Sequence, residues 1–274
     1  MTGLPVFVIS LPHSVPRRAP LIAALTRLGI AHEVVEATDG EQLVRRGEVP
    51  WSDAATLETQ PLLGRRLTGG EIGCAVSHLA LWHRIAAAGT PALVLEDDCR
   101  LAPAAPAIVA RLAALRRDWD LVLLGHRSAR RGPEAGATPA LGGRALGGGH
   151  RLARLVEFAM GSDAYALSPR GAKRLARFAE PIRMPADWVT GYAPAAGVRL
   201  HGITPPCAVS DVSLPSTIPA RDSAREPAAV VARPVRALAG RAWLTARRLG
   251  LWPGGYIWPY AAALQPRRGR TTTA

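Results

Sequence analysis

The sequence predicts an α/β protein in which helices cover both faces of a parallel sheet. Three observations lead to this prediction: a strand–helix–strand opening, short apolar runs typical of buried strands, and a long capped helix before one of them. The 274 residues are 48% hydrophobic and 20% charged, which is enough apolar material for a sizeable core. These proportions exclude a wholly disordered chain.

The first unit of the chain contains the strand–helix–strand pattern. Residues 6–9 form a continuous β-rich run, and residues 17–28 carry apolar side chains at spacings of three and four before Gly29. Residues 32–37 predict a second strand, which ends at the turn Thr38-Asp39-Gly40. Two successive strands joined by a helix favour parallel pairing.

The next elements follow a less regular stretch, residues 41–66, for which we expect helical turns and loops. Thr68 and Glu71 fit a capping box and predict a helix over residues 69–88. Residues 92–95 then predict a buried strand. A helix over 104–116 and a strand over 120–124 complete this part.

The middle of the chain is rich in glycine. Residues 128–150 hold seven Gly and two Pro, which predicts a mobile loop. Within it, residues 132–149 are interpreted either as an acceptor-side lid or as a disordered insertion. Ordered structure resumes over 156–167, a helix is expected over 170–179, and residues 181–215 are Pro-rich with short strand-like pieces.

Several classes of protein are disfavoured by simple features. No run of 18 apolar residues predicts a transmembrane helix, and the first ten residues lead directly into a strand rather than resembling a secretory signal. Cys74, Cys99 and Cys207 are widely spaced and form no C-x-x-C pair. We therefore expect free thiols in a reducing cytoplasm, and neither a disulfide framework nor a cysteine zinc site.

The net charge of +13 is unevenly distributed. Residues 1–219 hold 24 basic and 19 acidic side chains, whereas residues 220–274 hold 10 basic and 2 acidic ones. We therefore divide the chain into a nearly balanced domain, residues 1–219, and a basic tail, residues 220–274. The overall charge is a property of the tail more than of the domain.

The tail contains an amphipathic pattern. Residues 232–250 can be placed on a helix with one apolar face and arginines away from it, and four aromatic residues follow: Trp252, Tyr256, Trp258 and Tyr260. This arrangement is typical of helices at an anionic membrane surface. The alternatives are a helix packed on the domain with solvated arginines, or nucleic-acid binding, which the lack of a nucleic-acid fold motif disfavours.

Three consecutive carboxylates follow the strand at 92–95, namely Glu96, Asp97 and Asp98. Like charges repel, so such a cluster at a strand end favours a bound cation. Mg²⁺ and Mn²⁺ take oxygen ligands and share them with substrate phosphates, and ligands bind beyond the carboxyl ends of parallel strands. The alternative is a solvated acidic turn.

The cluster belongs to an ordered set of motifs. In chain order they are Val8-Ile9-Ser10-Leu11, Arg17-Arg18, Glu36-Ala37-Thr38-Asp39-Gly40, Leu67 to Cys74 with Ser77-His78-Leu79, Leu93 to Asp98, Asp120 to Gly125, Ala164 to Ser168 with Gly171-Ala172, Pro185-Ala186-Asp187-Trp188 and Pro205-Pro206. Over about residues 5–217 the chain resembles glycosyltransferase family 25, the lipopolysaccharide-type galactosyltransferases and their collagen-type relatives.

The resemblance implies a GT-A-like, Rossmann-like nucleotide-sugar-binding sheet and transfer of a hexose, most often galactose, from a UDP-sugar to a glycan such as lipopolysaccharide core. It also implies a divalent metal, Mn²⁺ or Mg²⁺, that offsets the diphosphate charge. Glu96, Asp97 and Asp98 match the acidic metal motif, with Asp98 the first choice of direct ligand and Asp97 the second. His201 is a weaker candidate to close the metal site from the C-terminal side.

Residues near the ends of the first strands are the candidates for donor binding. They are Ser10, Leu11, Arg17, Arg18, Asp39 and His78, together with Glu96 and Asp97. Either arginine suits phosphate through charge-assisted hydrogen bonds, although both also fit solvated positions at a helix start. Asp39 suits uracil or ribose but also a turn before Gly40, and His78 fits a packed helix residue equally.

Asp187 is the predicted general base, and Asp163 is the alternative. An inverting transfer needs a carboxylate on the acceptor side to take the hydroxyl proton. Asp187 lies in an acid-poor region next to Trp188, a possible sugar platform, but it also fits a helix cap.

The tail and the reducing thiols together predict a cytoplasmic enzyme, peripheral on the inner face of the cytoplasmic membrane. The competing class is a non-catalytic membrane- or nucleic-acid-binding adaptor with a degenerate nucleotide-binding fold.

Overall fold

An eight-stranded mixed sheet forms the centre of the protein in the computed structural model, which describes residues 3–49, 66–115, 118–128, 137–155, 158–211 and 213–214. The strand order is β2-β1-β3-β10-β5-β11-β8-β7. These strands are β1 (Val6–Ser10), β2 (Glu33–Glu36), β3 (Ala92–Glu96), β5 (Leu121–Leu123), β7 (Ala140–Gly147), β8 (His150–Leu155), β10 (Ala164–Leu167) and β11 (Leu200–Thr204). Two small sheets pair β4 (Cys99–Leu101) with β12 (Ala208–Ser210), and β6 (Arg127–Ser128) with β9 (Ala159–Met160).

Helices cover both faces of the sheet, as the sequence predicts. They are α1 (Val15–Arg27), α2 (Gly40–Arg46), α3 (Gly69–Ala88), α4 (Ala105–Ala114), α5 (Pro169–Ala179) and α6 (Ala186–Gly191). Leu25 of α1 and Ile108 of α4 pack in one core, beneath Leu93 and Leu95 of β3. Trp82 of α3 packs in the other core, which lies on the opposite face of the sheet.

The structure confirms the predicted capping box at the start of α3. The Thr68 hydroxyl accepts a hydrogen bond from the backbone N–H of Glu71, and the Glu71 carboxylate accepts one from the backbone N–H of Thr68. This satisfies donors that an uncapped helix start leaves unpaired. Among the described residues, no helix has the length and hydrophobicity needed to cross a bilayer.

The sheet is mixed, so the prediction of a parallel sheet is correct only in part. β1 pairs in parallel with β2 and β3, and β11 pairs in parallel with β5. Between these groups lies β10, which is antiparallel to both β3 and β5. The apolar runs gave no signal for this, because a strand buried on both faces has the same pattern in either direction.

The prediction of a loop over residues 128–150 is wrong for its described second half. β7 and β8 form an antiparallel hairpin at the edge of the sheet, with register shifts between Leu141 and Arg144 and between Ala145 and Gly147. Leu146 and Leu152 are buried and attach the hairpin to the core beside β1, β3 and β5. Glycines are tolerated here because bulges on an edge strand need few side-chain contacts.

Two glycines allow α2 and α3 to touch at their N-termini. A Cβ on Gly40 would lie 2.4 Å from the backbone nitrogen of Gly73, and one on Gly73 would lie 2.4 Å from the carbonyl oxygen of Thr38. The Ser77 hydroxyl accepts a hydrogen bond from the backbone N–H of Thr38 at 2.8 Å and fixes the same junction. The glycines of the motif at residues 67–74 therefore serve close packing.

The basic tail at 220–274 and its boundary with the domain lie outside the described residues.

Candidate active site

Most of the predicted site residues lie at one edge of the sheet. β1, β2 and β3 are parallel, and their register aligns Ser10 with Glu36 and Ile9 with Glu96. β10 runs the other way, so it brings the preceding residue Asp163 to the same edge, where its carbonyl accepts a hydrogen bond from the Glu96 N–H. This edge is where an open parallel sheet binds ligands.

Arg17 links the two aspartates of the acidic cluster. Its Nε donates to Asp97 Oδ1 at 2.8 Å, and one terminal nitrogen donates to Asp98 Oδ2 at 2.6 Å. The Ser10 hydroxyl donates to the other oxygen of Asp97 at 2.9 Å. Arg18 donates to the Leu11 carbonyl at 3.0 Å and to the Ser10 hydroxyl at 3.3 Å. The predicted donor residues at the start of the chain therefore meet the acidic cluster directly.

Asp98 is the least satisfied member of the cluster. Its Oδ1 is buried and has no hydrogen-bond partner among the described residues. Burial and the charge of Glu96 raise the pKa of Asp98 to about 6, with a smaller contribution from Asp97, although Arg17 opposes the shift. A carboxylate with one bound and one orphaned oxygen is suited to a further positive charge.

Glu96 is held by different partners from Asp97 and Asp98. Its Oε1 accepts hydrogen bonds from Ser162 Oγ at 2.5 Å and from His78 Nε2 at 3.3 Å. Burial favours a higher pKa for Glu96, but the bonds to His78 and Ser162 and the charge of Arg17 hold its pKa below the usual value. Glu96 therefore stays ionised at the edge of the sheet.

His78 belongs to a buried row of hydrogen bonds rather than to the donor-facing surface. Its Nδ1 lies 2.8 Å from the Tyr165 hydroxyl, which also accepts a hydrogen bond from Trp82 Nε1 at 2.8 Å. The side chain of His78 is 0% exposed. The contact of His78 with the donor stays a prediction, and in this structure the side chain meets the acidic cluster through Glu96.

A pocket of about 150 Å³ lies beside the cluster and brings together carboxylates from four parts of the chain. Its lining residues are Glu71, Cys74, Glu96, Arg127, Ser162, Asp163, Pro185, Ala186, Asp187 and Ser210. Both predicted catalytic acids, Asp163 and Asp187, are among them.

Asp163 lies at the deep side of this pocket. Burial raises its pKa to about 7, and the charge of Glu96 adds to the effect, while Arg127 acts against it. A Cβ on Gly125 would lie 2.4 Å from Asp163 Oδ2, so the absence of a side chain at Gly125 makes room for this carboxyl. A carboxyl with a pKa near neutrality is matched to proton transfer.

Asp187 lies in the first turn of α6 and faces Arg127, whose guanidinium is 3.7 Å from Asp187 Oδ2. The capping residue of this helix is Pro185 rather than Asp187. The next residue, Trp188, packs edge-on against Phe158 at a ring distance of 6.0 Å. The predicted acid and aromatic neighbour therefore lie together, with the acid in the pocket.

Two predicted residues have other positions. Asp39 caps α2, because its Oδ1 accepts a hydrogen bond from the Gln42 N–H at 2.9 Å, which is the turn-and-cap alternative. His201 is the second residue of β11, near the opposite end of the sheet, and pairs with Val122. Three strand spacings, about 14 Å, separate β11 from β3. His201 therefore does not close a metal site formed by Asp97 and Asp98.

Sequence reasoning missed Ser162, Arg127 and Cys74 as pocket residues. Arg127 lies in β6, and Ser162 lies in the connection between β9 and β10, so the positions of both depend on strand pairing. Cys74 lies four residues before His78 on α3, so one face of that helix carries both, and this spacing was a usable signal. The pocket wall is therefore assembled by tertiary contacts more than by any local motif.

Comparisons with known proteins agree with the geometry. Residues 4–130 match the family model described as "Glycosyltransferase family 25 (LPS biosynthesis protein)". The human protein named "Inactive glycosyltransferase 25 family member 3" is 33% identical over 193 residues, which are 66% of this chain and 30% of that protein. The Danio rerio protein "Procollagen galactosyltransferase 1" is 29% identical over 191 residues, again 66% of this chain and 30% of the relative. The chain therefore spans about a third of the length of these relatives.

Proposed function

We propose that the protein, whose residues 4–130 match the model of glycosyltransferase family 25, transfers a hexose, with galactose the first candidate, from a UDP-sugar to a glycan acceptor such as lipopolysaccharide core. Relatives named as galactosyltransferases support the choice of sugar, and the description of the family supports the acceptor.

One observation carries the proposal more than any other. At the edge of the sheet where ligands bind, Asp97 and Asp98 converge on a single cation, Arg17, and Asp98 still has a buried oxygen without a partner. Two carboxylates with that much unsatisfied negative charge fit a divalent metal, because Mn²⁺ and Mg²⁺ are bound by one or two carboxylates together with substrate phosphates.

Asp98 and Asp97 are the residues that would hold the metal. When bound, such an ion offsets charge on the diphosphate leaving group. Arg17 and Arg18 place further guanidinium donors beside the same carboxylates, and guanidinium groups form strong, oriented hydrogen bonds to phosphate. The cluster thus supports the donor half of a transfer reaction.

The pocket supports the acceptor half. We assign Asp187 as the base that takes the proton of the acceptor hydroxyl, because its carboxylate lines the pocket and lies 3.7 Å from the Arg127 guanidinium, which can orient it. Asp163 is the alternative, since its raised pKa suits proton exchange near pH 7. A base on the acceptor side and a leaving diphosphate on the cluster side imply a single displacement with inversion.

A second candidate is a non-catalytic protein with the same fold. It is favoured by one finding, namely that the human relative at 33% identity is named inactive. Such a protein would bind a nucleotide sugar or an adaptor partner without turnover.

The deciding experiment has two steps. First, a panel of UDP-sugars with Mn²⁺ is screened for an increase in melting temperature, because a bound donor stabilises the folded state by mass action. Next, transfer or hydrolysis of the stabilising sugar is measured. Stabilisation with turnover supports the enzyme, stabilisation without turnover supports the non-catalytic candidate, and no binding of any UDP-sugar contradicts the enzyme.

For residues 220–274 we propose association with an anionic membrane surface, supported by their excess of arginine and by their aromatic residues. This would bring the enzyme to a lipid-linked acceptor at the inner face of the cytoplasmic membrane. The test is sedimentation with anionic and with neutral liposomes, comparing the full chain with a chain ending at residue 219. Equal binding of the two proteins would contradict the proposal.

A further inference from the structure

The pocket wall contains a group of potential metal ligands distinct from Asp97 and Asp98. Cys74 and His78 are four residues apart on α3, and Glu96 ends β3 opposite them. One ligand atom from each side chain, Sγ, a ring nitrogen and a carboxylate oxygen, lies within 4.8 Å of the other two. Cys74 and Glu96 both line the pocket, so a small cation has a path from solvent to the group.

The separations are close to those of a tetrahedral zinc site. His78 Nε2 and Glu96 Oε1 are 3.3 Å apart, which is long for a hydrogen bond to a carboxylate. Two ligands bonded at about 2.0–2.1 Å to one tetrahedral ion are separated by about 3.3–3.4 Å. The nitrogen and oxygen therefore already have the spacing that a shared ion requires, and Cys74 Sγ lies within 4.8 Å of both.

Two of the three ligands are oriented by further hydrogen bonds. The Tyr165 hydroxyl lies 2.8 Å from His78 Nδ1, which leaves Nε2 as the nitrogen that faces Glu96. Tyr165 is itself fixed by Trp82, and Glu96 is fixed by Ser162. Ligand histidines in proteins are characteristically held in this way through their second nitrogen.

The electrostatic surroundings favour a cation. Four carboxylates, those of Glu71, Glu96, Asp163 and Asp187, line the same pocket as Cys74. The pocket thus concentrates negative potential on a group that is a weak acid without a metal. A divalent ion reverses this situation, since coordination deprotonates a thiol directly.

From this arrangement we infer that Cys74, His78 and Glu96 form a binding site for a thiophilic divalent cation of the Zn²⁺ class. A thiolate, an imidazole and a carboxylate select Zn²⁺ over Mg²⁺ or Mn²⁺, which prefer oxygen ligands alone. The thiol proton is released to solvent as the ion binds, and a fourth position stays open to water from the pocket. The inference does not depend on sugar transfer.

Co²⁺ is the probe, because cobalt bound to a thiolate gives a charge-transfer band in the near ultraviolet and cobalt bound to carboxylates alone does not. The full-length protein is titrated with Co²⁺ as wild type, Cys74→Ser, Cys207→Ala and Asp98→Ala. Cys207 is the matched control, since it is a buried cysteine in the core on the other face of the sheet. We expect the band in wild type, Cys207→Ala and Asp98→Ala, and its loss in Cys74→Ser.

A band that is absent from the wild type, or that persists in Cys74→Ser, would overturn the site. A band lost in Asp98→Ala would also overturn it, because the ion would then depend on the other carboxylates. A second measurement needs no variant: Zn²⁺ added to the native protein should slow alkylation of Cys74 by iodoacetamide, followed by mass spectrometry. Unchanged alkylation at saturating Zn²⁺ would contradict the proposal even if Cys74→Ser does not fold.

Discussion

Buried carboxylates have opposite environments at the two edges of the central sheet, where β5 begins and where β3 ends. Asp120, just before β5, is 1% exposed and accepts hydrogen bonds from Arg170 Nε at 2.9 Å and from the backbone N–H of Arg199 at 3.0 Å. Burial favours a higher pKa for Asp120, but the bonds to Arg199 and Arg170 hold its pKa below the usual value. At the other edge, burial is the largest influence on Asp98 and Asp163, and their pKa values rise to about 6 and about 7.

The difference distinguishes a carboxylate that stabilises the fold from one that is available to bind a cation or a proton. Both kinds lose solvation, which costs several kcal/mol for an isolated charge in a protein interior. Asp120 regains that energy from two arginines and a backbone donor, whereas Asp98 keeps an orphaned oxygen and Asp163 faces another carboxylate. Unrelieved charge at a ligand-binding edge indicates that a cation or a proton completes the site.

The largest expected effect at the edge where β3 ends is loss of turnover in Asp98→Ala. Removing a carboxylate that holds the metal should lower kcat about 1,000-fold or more, equivalent to about 4 kcal/mol of barrier. The melting temperature should change little. Steady-state transfer from UDP-galactose with Mn²⁺ measures this. Asp118→Ala is the control, because the Asp118 side chain is 54% exposed and its ion pair with Arg144 lies at the surface. Unchanged kcat in Asp98→Ala would remove the metal assignment.

The largest expected effect at the edge where β5 begins is loss of stability in Asp120→Ala. Its arginine partners are about half exposed and can return to water, so the cost should be about 3 kcal/mol, at the low end for a broken buried ion pair. Urea denaturation measures the free energy of unfolding. If Asp120→Ala instead left stability intact and abolished turnover, the assignment of Asp120 to stability rather than to the active site would be contradicted.

A smaller effect is expected for Asp187→Asn. The variant keeps the shape of the side chain but cannot accept a proton, so kcat should fall about 100-fold while the KM for the donor is unchanged. Separate titrations of donor and acceptor in the transfer assay resolve this. A change confined to the donor KM would contradict a role of Asp187 in proton transfer and would indicate a role in donor binding.

The smallest effect concerns the pH dependence of stability through Asp163. Its folded-state pKa of about 7 lies above the unfolded value, so the folded protein holds this proton more tightly, and the contribution to stability falls as pH rises from about 4 to about 7. Asp163→Asn should therefore become more stable relative to wild type as the pH rises from about 4 to about 8, because the wild type must ionise this buried carboxyl and the variant need not. Urea denaturation at both pH values measures it, and a constant difference would contradict the raised pKa.

Local signals predicted much of the fold. The helix at Gly69–Ala88, its capping box, and the strands that end at Ser10 and Glu96 all follow from periodicity and from cap chemistry that neighbouring residues supply. The β7–β8 hairpin did not, because its glycines have the composition of a loop and its pairing partners come from distant strands. The same limit explains why β10 was not expected to be antiparallel.

The sequence by itself determined the resemblance to glycosyltransferase family 25, the acidic cluster and the edge of the sheet on which it lies, because these depend on contiguous residues and on parallel strands sharing one carboxyl end. Only the tertiary structure decided what each acid touches. Asp97 and Asp98 meet Arg17, Glu96 turns to His78 and Ser162, and Asp163 and Asp187 share a pocket. These contacts join residues up to 81 positions apart, and burial and charge at that range set both the pKa and the chemistry of a carboxylate.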